Sequence, residues 1–279
     1  MPKLLAILQI KCRRKPDFLM WLKWYTLYLK CDKICIIDDA SPVSIAKVIS
    51  SFYREYMPST NIIVLPASKL DGFTSDNVPR QVRNANIGLM ALKPHIGDIV
   101  ITPDDDEFWW YDTSYAKTFI NTALKVSRNT FTIPWILMSS HTPLKCRSDA
   151  ASFADCFTYA APTENNEVKF VMKYDGTLIR DMHWCHSNSV NLMPGTRYEN
   201  FFRTSWVNKT NSVIKCYHFR TTTEVEYNKK IKNNINDKLH TRFYAKGKTF
   251  YTFDKQMYPG FPGYTYKDLT VTNIIARLS

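Results

Sequence analysis

The stretch Asp98-Ile-Val-Ile-Thr-Pro-Asp-Asp-Asp-Glu-Phe-Trp-Trp-Tyr111 runs from an apolar segment through four consecutive acids, Asp104 to Glu107, into an aromatic segment. The chain around it is basic, with 37 Lys+Arg against 25 Asp+Glu, so a run of four acids stands out from the composition. An apolar run of this length reads as a buried strand, and acids at its carboxyl end stand where open α/β sheets bind ligands. Extended backbone would put Asp104 and Asp106 on the same side, about 7 Å apart along the chain. Two carboxylates so placed repel each other unless a cation joins them, and oxygen donors of this kind suit Mg²⁺ or Mn²⁺. The competing reading is a solvated acidic turn. Against it stands the enclosure of the acids between apolar and aromatic segments, where unpaired charge is costly.

Working outward, the first half alternates strand and helix patterns. Leu4–Ile10 reads as a strand, followed by a helix from about Asp17 to Lys30 with Asp17 as N-cap and Leu19, Leu22, Trp24, Leu27 and Tyr28 on its apolar face. A strand over Lys33–Ile37 ends in Asp38-Asp39. A helix from about Val43 to Tyr56, a strand over Asn61–Leu65 and a helix around Arg80–Leu92 follow. Strands alternating with helices of this length indicate βαβ units and a mainly parallel sheet. In such a sheet the acid-bearing strand ends share one edge, so Asp38/Asp39 and Asp104–Glu107 can face one ligand.

The second half is less regular. Phe131–Met138 and Val213–Phe219 read as strands, Val168–Tyr174 and Thr177–Arg180 as a hairpin around Asp175-Gly176, and Glu224–Asn234 as a helix. From Lys246 on there is no clear period. The expectation is one α/β domain over residues 1–279, a mixed, mainly parallel sheet flanked by helices. Residues 1 to about 125 read as a nucleotide-type half, and about 126–279 as an elaborated second half.

Hydrophobic residues make up 45% of the 279 and aromatics 14%, which supports a real core and argues against disorder. The formal charge of +12 suits a polyanionic partner: nucleic acid, an anionic membrane or a small diphosphate. No stretch reaches the roughly 18 uncharged apolar residues that span a bilayer. The apolar start meets Lys11, Arg13 and Arg14 and lacks a cleavage site, so it reads as a strand and not a leader. Seven scattered cysteines without a C-x-x-C pair fit reduced thiols in a cytoplasmic compartment.

Several groups are candidates for a site. Asp38 and Asp39 suit acceptance of hydrogen bonds from a nucleoside, or a cap for the helix that follows. Arg80-Gln-Val-Arg83-Asn-Ala-Asn86-Ile-Gly88 offers Arg83 to a diphosphate, or forms a solvated helix face. His218 or His186, each beside a strand end, would complete a metal shell begun by aspartates. There is no G-x-G-x-x-G and no P-loop, which argues against a dinucleotide site or a P-loop ATPase.

These elements in order, Asp38-Asp39, Arg80 to Gly88, Gly97-Asp98-Ile-Val100 and Asp104-Asp105-Asp106-Glu107-Phe108, resemble GT-A glycosyltransferases of the family 2 and family 92 type. Two later segments add to the resemblance. Pro134-Trp135-Ile-Leu-Met-Ser139-Ser140-His141 is similar to that group's Trp…Ser-Ser-Gly-His, without the Gly. His218-Phe219-Arg220-Thr221 through Tyr227 is similar to its His-Tyr-x-Thr-Lys-Ser-x-Glu-Glu-Phe, with Thr222 in place of Lys.

The resemblance implies a GT-A (Rossmann-like) fold and a metal-dependent, inverting hexosyl- or pentosyltransferase acting on a glycan hydroxyl. It would make the second half, about 126–279, the acceptor-binding one. It implies a nucleotide-sugar donor, foremost a UDP-sugar, with Mn²⁺ or Mg²⁺. Asp104 would contact ribose or metal, and Asp106 the metal together with His218 or His186. Asp38, Asp39 and Asp105 would line the nucleotide side and Arg83 would offset phosphate charge. Inversion needs a carboxylate base, for which Asp155 and then Asp149 are the candidates. Trp109, Trp110, Trp135 and Trp184 are candidates for an acceptor platform. No nucleic acid is expected as partner. The rival readings are a sugar nucleotidyltransferase, a metal-dependent nuclease and a basic nucleic-acid binder; the first lacks its Gly-rich loop after strand one, and the last its motifs.

Overall fold

In the computed structural model, residues 1–67, 80–125, 130–139, 148–160, 168–179, 213–219, 225 and 266–278 are described. Strands β1 (Leu4–Ile10), β2 (Lys33–Asp38), β3 (Asn61–Pro66) and β4 (Ile99–Ile101) are parallel, in the order β3-β2-β1-β4. The sheet continues beyond β4 with antiparallel neighbours, so the class is mixed α/β, as expected from the alternation of patterns. Burial explains the near-continuous apolar character of β1 and β2. Leu4, Ala6, Leu8, Ile34 and Ile36 face α1 (Lys15–Lys23) and α2 (Ile45–Tyr56), while Leu5, Ile7, Cys35 and Ile37 face α3 (Arg80–Leu92). A strand covered on both faces has no solvent phase to alternate with.

The order after β4 places the site. β5 (Glu107–Tyr111) leaves the main path and pairs antiparallel with β9 (Ile214–His218), with Glu107 opposite His218. α4 (Phe119–Leu124) follows, then β6 (Thr130–Ser139), α5 (Phe153–Cys156) and β7 (Tyr159–Ala160). β8 (Val168–Lys173) lies antiparallel between β4 and β6, and β9 also pairs parallel with β6. Strands of both halves therefore share one hydrogen-bonded network.

Some elements differ from the sequence expectation. Asp17 is not the N-cap of the first helix. The helix begins at Lys15, Pro16 fills the first turn, and Asp17 is buried within 3.5 Å of Arg14. The helix also does not run regularly to Lys30: Trp24–Tyr28 is a π-turn, with Leu29 N–H donating to the Trp24 carbonyl at 2.9 Å. The second helix starts at Ile45, two residues later than expected, because Ser44 accepts from the Lys47 amide as its cap.

Thr177–Ile179 does not return as a strand. Gly176 turns with φ 95°, but the Asn86 side chain then takes both the amide and the carbonyl of Ile179, at 2.7 and 2.6 Å, in place of a strand partner. The aperiodic tail contributes β10 (Tyr266–Lys267), antiparallel to β7, and α6 (Thr270–Arg277). The helix expected at Glu224–Asn234 lies outside the described residues, Val225 excepted. Of the described cysteines, 12, 31, 35, 156 and 216 are free thiols. No helix among the described residues is long and apolar enough to cross a membrane.

Candidate active site

The four acids leave β4 in a tight turn, not an extended segment. The Glu107 amide donates to the Asp104 carbonyl at 3.2 Å, and the Asp104 amide donates to Glu107 Oε2 at 2.9 Å. Asp104 and Asp106 consequently face different partners, unlike the side-by-side pair expected from extended geometry. The turn's backbone is held from below by the first helix. Trp21 Nε1 donates to the Asp104 carbonyl at 3.2 Å, Tyr25 Oη to the Glu107 carbonyl at 2.9 Å, and Trp24 Nε1 to the Trp109 carbonyl at 2.7 Å. Positions 21, 24 and 25 share one helix face, and an aromatic with a polar tip buries its ring while still satisfying a carbonyl.

Lys169 is the unexpected member of the site. β8 runs antiparallel past the end of β4, with Ile101 opposite Val171, so Lys169 on the same face falls beside the acidic turn. Its ammonium is buried (1% exposed), donates to Asp104 Oδ2 at 2.8 Å and lies 3.5 Å from Glu107 Oε2. Its pKa is held above the ordinary lysine value. Burial works to lower it, and the Asp104 and Glu107 carboxylates more than reverse that. Glu107 is fully buried and its carboxyl is pushed well up by desolvation; Lys169 draws it back down, and Asp104 and Asp106 raise it further. The sequence signal was a lysine on the same strand phase as Val171, in an otherwise apolar run.

On the other side of the turn, Asp106 Oδ1 lies 3.3 Å from His218 Nε2. β9 delivers this histidine, and the Phe219 amide donates to the Asp106 carbonyl at 2.8 Å, fixing turn to strand. His218 is 5% exposed and packs against the Trp135 ring with centroids 4.1 Å apart; its Nδ1 has no hydrogen-bond partner among the described residues. Trp135 is thus a wall for the imidazole and not an open platform. Trp109 likewise is fully buried, edge-on to Phe119, while Trp110 is partly exposed under the Lys215 ammonium. His186 and Trp184 lie outside the described residues.

The neighbouring strand ends complete the edge. Asp38 aligns with Ile10 and Pro66 in the parallel register, and its Oδ1 accepts from the Ser41 amide at 2.9 Å. Ser41 Oγ in turn accepts from the Cys12 amide at 2.8 Å. Asp39 bonds Arg80 at 2.8 Å, which brings the start of α3 to the ends of β1 and β2. Gln9 donates to the Gln81 carbonyl at 2.6 Å and accepts from Asn84 at 3.3 Å. Arg83 is half-buried on the same helix. Burial pushes the Cys12 thiol up to about 12, with Asp105, Asp17 and Asp38 adding to the shift.

Asp149 and Asp155 are both exposed. Arg14, in the loop after β1, donates to the carbonyls of Ser148 and Ala151 at 2.6 and 2.9 Å, and so ties the segment carrying Asp149 to this edge. Asp155 closes a capping box on α5, accepting from Ser152 N–H and Oγ at 2.7 and 2.8 Å. α5 itself packs beside the site, with Phe153 stacked on Phe219 at 5.6 Å. Among the described residues no group of three or more His, Cys, Asp or Glu is placed to hold an ion.

No protein-family model and no curated protein sequence matches the chain. Among solved structures it is similar to a mycobacterial protein at 11% identity and TM-score 0.31, over 49% of this chain and 41% of that one. It is also similar to 4-diphosphocytidyl-2C-methyl-D-erythritol synthase at 10% identity and TM-score 0.35, over 62% and 76% of the two chains. Residues 1–349 of S. aureus TarS, in a complex with UDP-GlcNAc, match at 14% identity and TM-score 0.26, over 52% of this chain and 36% of TarS 1–349. The chain thus spans well under half the length of the mycobacterial and TarS chains. With TM-scores below 0.5, the reading of the site rests on the chain's own geometry.

Proposed function

We propose that the chain is a glycosyltransferase that moves a sugar from a nucleotide-sugar donor, a UDP-sugar before others, to a glycan hydroxyl with the help of Mn²⁺ or Mg²⁺. The observation that carries this reading is the placing of Asp106 within 3.3 Å of His218 at the edge where the parallel strands end beside Asp38, Asp39 and the acidic turn. Carboxyl ends of parallel strands are where nucleotide ligands bind in open α/β sheets. The residues present fit a divalent ion. Asp106 offers a carboxylate oxygen of the kind Mg²⁺ and Mn²⁺ take, and the adjacent imidazole favours the transition ion of the two. When bound, such an ion stabilises the negative charge that develops on a diphosphate leaving group.

The chain's own groups supply the rest. Asp38 and Asp39 accept from the nucleoside, while Arg83 offsets phosphate charge at the start of α3. Lys169 and the aromatic face of the first helix keep the acidic turn in one shape, and preorganisation of this kind is what lowers the cost of reaching the transition state. Transfer with inversion calls for a carboxylate to take the acceptor's proton, and Asp155 and then Asp149 are assigned that role.

The test is a thermal-shift screen of UDP-, GDP-, TDP- and CMP-sugars with and without Mn²⁺, on the wild type and Asp106→Ala. A ligand that binds only the folded chain raises the melting temperature by mass action. A Mn²⁺-dependent shift with one nucleotide class, lost in the variant, is expected. No shift with any nucleotide, together with salt-sensitive binding or metal-dependent cleavage of nucleic acid, would overturn the reading.

A further inference from the structure

Lys169 has an effect on the acidic turn that goes beyond holding its shape. A fully buried ammonium between two carboxylates costs desolvation, and it persists where geometry makes the pairing good. Here the pairing is with Asp104 Oδ2 at 2.8 Å and Glu107 Oε2 at 3.5 Å. A divalent ion bonded to that Asp104 oxygen would stand close to a fixed buried positive charge, an unfavourable arrangement that the 35% exposure of the Asp104 side chain screens only in part. Of the acids in the turn, Asp106 is the one beside the imidazole.

Resting on the reading above, we infer that Lys169 is a built-in cation that withdraws Asp104 from metal coordination, leaving the ion with Asp106 and His218 and making its binding conditional on the donor's diphosphate. Two protein donors fill a minority of an octahedral shell, and ions of this class are commonly held by one or two carboxylates together with substrate phosphates. Metal and nucleotide would then load together: each completes the other's site. Lys169 is in this sense a positioning residue. It acts through Asp104 and sets the order in which ligands bind.

The experiment is calorimetric titration of Mn²⁺ into the wild type, Lys169→Met and Asp104→Asn, each with and without saturating UDP. Wild type is expected to bind Mn²⁺ at least about tenfold more tightly with UDP than without. Lys169→Met, with Asp104 released, is expected to gain about tenfold or more in Mn²⁺ affinity in the absence of UDP, the scale on which groups around a metal site tune affinity. Asp104→Asn is expected to keep close to wild-type Mn²⁺ affinity in the presence of UDP. This variant carries the test if Lys169→Met does not fold.

Equal Mn²⁺ affinity with and without UDP in the wild type would overturn the inference alone, as would loss of Mn²⁺ binding in Asp104→Asn. Failure of the wild type to bind UDP with or without Mn²⁺ would remove the nucleotide-sugar reading and this inference with it.

Discussion

The aromatic clamp under the acidic turn gives a quantitative expectation for Tyr25→Phe. Tyr25 is fully buried, and its hydroxyl donates to the Glu107 carbonyl at 2.9 Å. Phenylalanine keeps the ring, so the stack on Trp21 at 4.2 Å survives and no large cavity opens. What changes is one buried carbonyl left without its donor, and such a group costs about 1–3 kcal/mol. At about 2–4 °C per kcal/mol for a domain of this size class, a loss near 1.5 kcal/mol lowers Tm by roughly 3–6 °C. Urea denaturation followed by circular dichroism measures the difference, with an unchanged slope showing that the folded state is otherwise the same. The same variant is expected to weaken nucleotide binding, because the carbonyl it frees belongs to the turn. A loss below about 0.5 kcal/mol, within the ordinary range for surface changes, would refute the idea that this hydroxyl holds the turn.

Three further expectations follow from other contacts. Because burial raises the Glu107 carboxyl, its contribution is fully present below the ordinary glutamate range and is lost as pH rises through the raised folded value. Relative to Glu107→Gln, the wild type should lose stability as pH rises across that window, read as the difference between their urea midpoints from acid to neutral pH. Gly88→Ala puts a Cβ 2.7 Å from Ile7 Cγ2 under a fully packed helix. The overpacking, about 1–3 kcal/mol, should exceed the gain of about 1 kcal/mol in helix propensity, so thermal unfolding should move down rather than up. Asp155→Asn keeps an acceptor for the α5 cap while removing a base. An unchanged Tm with a large fall in turnover supports its assigned role, whereas unchanged turnover reduces Asp155 to the cap.

The strands and helices of the first half were legible because burial on two faces leaves long apolar runs, and α3 matches its expected bounds of Arg80 and Leu92. The gathering of Asp38, Asp39 and the acidic turn at one edge followed from the parallel order. The acidic run's own shape did not, since Glu107 folds back onto the Asp104 amide and converts an extended pair of acids into a turn. Lys169 was hidden for a different reason. Its partner is 65 residues away, and only the antiparallel insertion of β8 beside β4 brings the two together. The described elements of the tail are short: β10 has two residues, and α6 docks through Val271, buried in the core, with Thr272 donating to the Ala154 carbonyl at 2.8 Å.

The pairing of β5 with β9 has a consequence for how the chain acquires its shape. Among the described residues, the antiparallel partner of residues 107–111 is residues 214–218, a separation on the order of a hundred residues. Chain entropy must be surrendered over that whole span before the pairing returns any stabilisation. Folding of this region should therefore be slow compared with the local β1-α1-β2 unit. During synthesis at about 5–20 residues per second, the aromatic run Phe108–Tyr111 waits several seconds with an unpaired edge. The segment that makes the site would then be exposed to mispairing with another chain while it waits for its partner.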